Sequence, residues 1–398
     1  MSTIPPSTQS DTTAIADRRV LAGLRSSDLR ARPGDGWREQ LTGWLFCTPA
    51  IALLILFLVI PILLAAWVSI SDWDGIGSPL ASTVHSVGLS NYKALVTTPG
   101  LPQTDFGMSL RNNLYYVVFV VPIQTLLALV LAVAVSRKRL RGRSFFRTTY
   151  YFPSVTSSVA IAIVFQFLFS GTGTINALLS VIGISGPNWF TDPNGIITGF
   201  LGLLGVHNGP GFMTNHGVLG VSWWEWISGP SVAMCVLIIL AIWTTSGTFM
   251  LIFLPALYNI SGEVEEAADV DGASAWQKFW HVTVPLVRPT LFVVLTLGLI
   301  STWQVFDSVF LLSQGNPEGT TLTPAFLAYQ TTFTDQQYAQ GAAIAFLLFA
   351  LIIILVLLQR WLLAAAERRR RRQRARRHRQ RVAAAQRATT DGAGAVNR

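Results

Sequence analysis

Charge is scarce in this chain. Asp, Glu, Lys and Arg make up 12% of its 398 residues, against about 25% in an ordinary soluble domain. That deficit, beside 51% hydrophobic residues, excludes a water-soluble globular protein for most of the length. Lysine is reduced to Lys93, Lys138 and Lys278, and none of them follows a glycine or precedes a serine or threonine. A phosphate-cradling loop needs a Gly-Lys-Ser/Thr run, so the chain has no nucleotide site of its own. Cysteine occurs only at Cys47 and Cys235, both inside apolar runs, which implies no disulfide framework and two buried, inert thiols. The five histidines are scattered, without a His/Glu metal pair at helical spacing or a nucleophile–base constellation.

Long apolar runs are what the chain does have. A membrane helix needs roughly 20 apolar residues, and six segments qualify: about 44–70, 113–136, 151–170, 231–257, 290–312 and 341–363. The third is the most polar. Residues 1–43 are polar, lack the apolar core of a cleaved signal peptide, and are expected to be a disordered tail.

Arg and Lys placement orients the spans. The N-terminal tail carries six basic residues, the second connection six from Arg137 to Arg147, the fourth Lys278 and Arg288, and the segment from Arg360 onward thirteen. Only Lys93 and Arg111 fall on the other side. The expected fold is therefore an all-α polytopic membrane protein with six transmembrane helices and both termini cytoplasmic. The outside loops are then about 71–112, 171–230 and 313–340. The middle one ends in SWWEW (222–226), which reads as an interfacial aromatic belt or a contact for a docked partner or sugar.

Between the fourth and fifth spans lies NISGEVEEAADVDGASAWQKFWHVTVPLVRPT (259–290). Ser261 followed by Glu263, Glu265 and Glu266 reads as a capped helix start with acids near the positive dipole end. Ala267 and Ala268 make a small, flat face, Asp271 continues the helical spacing, and Gly272 suits the helix end. A second helical stretch is expected from Ala273 to His281, before Pro285 and Pro289.

The run Glu266-Ala267-Ala268, three residues, Gly272, nine residues, then Val282-x-Val284-Pro285 resembles the signature loop of permeases from binding-protein-dependent ABC importers. The family pattern has Ile and Leu where Val282 and Val284 stand. Segments 137–179 and 303–321 are similar to the carbohydrate-uptake branch, in particular the maltose/oligosaccharide and glycerol-phosphate type of permease half. The resemblance covers about 44–363 and leaves out the expanded 191–228 region and the arginine-rich tail from 364. It implies a cytoplasmic coupling helix over Glu263 to Gly272, with Pro285 closing the motif, seated in a groove of an ATPase subunit. It also implies a bacterial inner membrane and no cofactor in this chain, ATP and Mg being bound by the partner ATPase. The implied partners are a second permease subunit, two ATP-binding cassette subunits and an extracytoplasmic solute-binding protein.

Asp307 is the only acid inside the six expected spans, and Gln304 three residues earlier shares its helical face. With Trp303, Phe306 and Gln166, these are the candidate residues of a solute path, because intramembrane charge is costly and marks function. The alternative for Asp307 is structural hydrogen bonding to a neighbouring span. The tail ERRRRRQRARRHRQR (367–381) is expected to lie on anionic lipid rather than on nucleic acid. Rival readings are the same importer class for glycerol phosphate or a polyamine, and a membrane-embedded sensor with a nucleic-acid-binding tail.

Overall fold

The computed structural model describes residues 36–137, 141–206 and 209–365. It divides into two compact units, up to Ala65 and from Ala66 onward. The boundary falls within α1 (Gln40–Ser69). Helical turns already begin at Gly36, inside the segment expected to be tail. The residues on which the expectation of disorder rests lie outside the described ones, as does the arginine-rich run after Ala365. Within α1, Ile55–Val59 form one π turn, in which the Ile60 N–H donates to the Ile55 carbonyl. The turn lies just ahead of Pro61, a residue that cannot donate to the helical ladder. Cys47, expected to be buried, is exposed on this helix, and Cys235 is half-buried.

The second unit is built on α3 (Leu101–Ser136), preceded by the short α2 (Ser90–Val96). Thirty-six residues rise about 54 Å at 1.5 Å each, well beyond the roughly 30 Å of hydrocarbon. Hydropathy registers only the lipid-immersed part, which is why the sequence suggests a start at 113. The twelve polar-to-mixed residues before it remain helical because protein covers them: Ser109, Arg111 and Asn112 are all buried. Asn112 donates to the carbonyls of Gly319 (2.7 Å) and Leu322 (3.0 Å), and its own carbonyl oxygen accepts from Arg111 (2.9 Å).

Two of the expected spans are broken. α4 (Arg143–Val155) and α5 (Ser158–Leu168) meet at 95°, so the single span expected over 151–170 does not exist as one helix. At the break, the Ser154 and Thr156 hydroxyls donate to the Tyr151 and Phe152 carbonyls, 2.7 and 2.9 Å away. Local side-chain bonds of this kind compete with helix propagation. The connection to the fourth span contains α6 (Thr174–Val181), α7 (Ile196–Leu203), α8 (Gly211–Thr214), a hairpin of β1 (Gly217–Val218) and β2 (Val221–Ser222), and α9 (Trp223–Ile227). α10 (Val232–Tyr258) follows, close to the expected boundaries.

α11 (Gly262–Val270) and α12 (Ala275–Leu286) lead into α13 (Arg288–Trp303), which meets α12 at 77°. The fifth expected span then stops: Gln304, Val305 and Phe306 leave the helix and α14 (Asp307–Leu312) starts anew. After α15 (Pro324–Tyr329), α16 (Tyr338–Ala365) is long and apolar as expected. The core of the unit lies between α3 and α10. Val120, Ala128 and Ala132 of α3 are wholly buried, as are Met234, Leu237, Met250 and Phe253 of α10. A Cβ at Gly247 would stand 2.0 Å from the Tyr150 carbonyl oxygen, so only glycine lets α4 cross α10 at that point. Four described helices, or six if each bent pair counts once, have the length and composition to cross a membrane.

Candidate functional site

The α4–α5 break and the interruption between α13 and α14 flank a cavity of about 420 Å³. The α4–α5 break contributes Ser154, Thr156 and Ser158, and α10 contributes Thr244, Thr245 and Thr248. The end of α13 and the start of α14 add Ser301, Gln304, Phe306, Asp307 and Ser308, and Tyr116 of α3 completes the polar wall. Breaking the helices is what builds this site. An unbroken α13–α14 span would turn part of these groups away, whereas the interruption brings Gln304, Phe306 and Asp307 to one hollow. The expected shared helical face of Gln304 and Asp307 is therefore wrong in cause: Gln304 caps one helix and Asp307 opens the next. At the first turn of α14, the Asp307 carboxylate faces the positive end of that short helix dipole.

Two expected path residues are elsewhere. Trp303 is buried among Val117, Val121, Leu348 and Ile352, on the side of α13 away from the cavity. Its indole N–H has no partner among the described residues. Gln166 lies exposed on α5, outside the cavity wall, because the inward face of that helix is Ile161, Ala162 and Phe165. Behind the wall stands a residue that sequence reasoning missed. Gln124, fully buried in α3, accepts through its side-chain oxygen from the Thr245 hydroxyl. A lone amide in the middle of an apolar run was the available signal.

A larger hollow, about 550 Å³, lies between the start of α3 and the 314–340 segment, with Asp105, Glu318 and Asp335 on its wall. Neither bent pair nor α10 contributes to it, so it has no link to the broken helices.

The 259–290 loop folds as two helices. The Ser261 backbone is extended as an N-cap requires, but its side chain makes no capping bond, contrary to expectation. The second helix begins at Ala275 rather than Ala273. There the Ser274 and Gln277 side chains form a reciprocal capping box, and the helix runs to Leu286 through a π turn at Phe279–Thr283. Gly272 ends α11 with φ +70°, a left-handed geometry that suits glycine. Lys278 of α12 pairs with Asp269 of α11. Glu263, Glu266, Ala267 and Asp271 are exposed and Ala268 half-buried. Val270 is 88% exposed and Trp276 71% exposed at the same corner. Pro285 lies in the last turn of α12, just ahead of the bend at Val287.

A bundle of apolar helices around a hydroxyl-lined cavity, with an exposed helix pair at one end, is the architecture of a membrane transport subunit. The family described as "binding-protein-dependent transport system inner membrane component" matches residues 124–372, and the chain belongs to it. A probable ABC transporter permease protein of Pyrococcus horikoshii is 32% identical over 308 residues, covering 76% of this chain and 89% of that protein. The lactose transport system permease protein LacF of Rhizobium radiobacter is 30% identical over 296 residues, covering 74% of this chain and 84% of that one. Among solved structures, a bacterial ABC transporter involved in the import of the acidic polysaccharide alginate shares the fold. Its TM-score is 0.59 at 20% identity, over 82% of this chain and 97% of that one.

Proposed function

We propose that the chain is one of two unlike permease subunits of an ATP-driven importer, lining half of the path of a sugar or sugar-like solute by alternating access. The observation that carries this reading is the cavity at the helix breaks. Its wall offers eight Ser/Thr hydroxyls, one amide and one carboxylate beside the rings of Tyr116 and Phe306. Hydroxyls donate and accept, so they match a polyhydroxylated ligand in many orientations. Aromatic faces suit the apolar C–H side of a sugar ring. The wall has no Lys, Arg or His, which disfavours a phosphorylated solute, and its single carboxylate is a poor match for a polyamine. The name of one relative refers to lactose.

Each bent pair then counts as one span, giving six, with both termini on the cytoplasmic side of a bacterial inner membrane where the basic residues gather. α11, from Glu263 through Ala267 and Ala268 to Gly272, is the coupling helix. It seats in a groove of one of two ATP-binding cassette subunits, which bind ATP and Mg and supply the energy. An extracytoplasmic binding protein delivers the solute. Deletion of the gene, followed by uptake assays over a panel of labelled sugars, tests the solute class. Loss of uptake of one sugar type, restored by the wild-type chain and not by Asp307→Ala, supports it; undiminished uptake of every sugar rejects it.

A further inference from the structure

The 171–230 segment carries an outward apolar surface that takes no part in the 420 Å³ cavity. On α6 and just after it, Leu178, Val181 and Ile182 point outward, Val181 at 83% exposure. On α7 and after it, Phe200, Leu203 and Leu204 do the same, Leu203 at 85%. The opposite side of the segment is packed. Ile175, Trp189 and Phe190 join the cluster of Ile161, Phe165 and Phe169 on α5. The hairpin is seated on α3, where a Cβ at Gly107 would lie 2.2 Å from the Leu219 carbonyl oxygen. The Tyr115 hydroxyl donates to the Trp226 carbonyl and accepts from the Gly229 N–H at 3.0 Å. The outward apolar face therefore belongs to a segment fastened to the spans, not to a loose loop.

We infer that this face lies in the membrane interface, as an apolar collar around the outer end of the helix bundle, with lipid as its partner. Three observations favour lipid over protein. The segment contains no Lys or Arg in some 60 residues, and its two acids are engaged in local turns. Glu225 accepts from the Ser222 backbone at 2.8 Å, and Asp192 from the Asn194 backbone at 2.9 Å. The apolar face thus presents no charge that a polar protein rim would pair with. Both of its ends join membrane helices directly, α5 at Leu168 and α10 at Val232, which holds it near headgroup depth. α5, which the segment adjoins in sequence, is likewise exposed at Ile163, Val164 and Phe167. Trp223 of α9, itself exposed, supplies the amphipathic ring usual at that depth.

The inference rests on the outward placement of 171–230 in the proposed topology, and the test separates the two. In the assembled transporter carrying Cys47→Ser and Cys235→Ala, a spin label is placed at Leu203→Cys and, separately, at Asp192→Cys. Lipid contact predicts that the label at 203 relaxes more strongly with oxygen than with a water-soluble nickel chelate, by several-fold, while the label at 192 shows the reverse. Preferential relaxation by the chelate at 203 overturns the inference in favour of open water. Protection from both reagents overturns it in favour of a protein partner. Labelling of the 192 variant by an impermeant maleimide from outside intact spheroplasts reports the topology independently.

Discussion

At the scale of single residues, two neighbours in sequence have opposite fates. Trp303 and Asp307 both read as path residues, yet one is core and the other stands at the cavity. The difference lies in the break at Gln304–Phe306, which turns the chain between them. Charge placement was legible, because a lone acid in an apolar run must be explained by function or pairing. The side on which an aromatic lies was not, since that depends on where the helix ends. Asp307→Asn is therefore expected to raise the KM of uptake about tenfold to a hundredfold, the effect of losing a charged hydrogen bond of about 1.5–3 kcal/mol, with normal assembly. Trp303→Ala is expected to lower folding stability by about 3–5 kcal/mol, as large-to-small core changes do. Thermal unfolding in detergent measures the second, and Trp303→Phe should leave the KM unchanged. A KM effect from Trp303→Phe equal to that of Asp307→Asn would put both on the path after all. Gln124 extends the lesson: its amide supports the Thr245 side of the wall from behind, and in sequence it looked like one polar residue in an apolar helix.

At the scale of elements, four of the six expected spans lie on single long helices, and the third and fifth are broken. The polarity of YFPSVTSS (151–158) was visible, and it is where α4 turns by 95° into α5. Hydropathy cannot separate a polar stretch inside a helix from a bend, because both lower the same average. The 259–290 loop was more legible, since caps and breakers act locally. Gly272 and the helix before it appear as expected, while the second helix shifted to the Ser274–Gln277 capping box. Gly272→Pro is expected to abolish uptake while leaving ATPase activity without solute intact or raised, because proline holds φ near −65° and cannot adopt +70°. Ala267→Trp should do the same with no loss of stability, since Ala267 is exposed. Normal uptake in both variants would remove α11 from the coupling role. Lys278→Ala should cost no more than about 1 kcal/mol, the range of exposed ion pairs, so any larger effect on uptake would come from the contact between α11 and α12. In the outer segment, Tyr115→Phe removes the hydroxyl shared by Trp226 and Gly229. Faster proteolytic cutting within 171–230 is the expected result.

At the scale of the whole molecule, the distribution of charge organises everything else. Of the described Lys and Arg residues in 71–112, 171–230 and 313–340, Lys93 is the one that is exposed, because Arg111 is buried and bound to Asn112. The chain, as proposed, draws its energy from a separate ATP-binding cassette subunit. Its exposed Val270 and Trp276 beside the acidic α11 are the surface on which that source would act. The most direct measurement is gentle purification of the tagged chain from native membranes, with mass spectrometry of what accompanies it. Co-isolation of an ATP-binding cassette protein and a second permease, with the cassette protein lost from the Ala267→Trp variant, is the expected result. A chain that comes alone, or keeps the cassette protein undiminished when Ala267 is replaced by tryptophan, would contradict it.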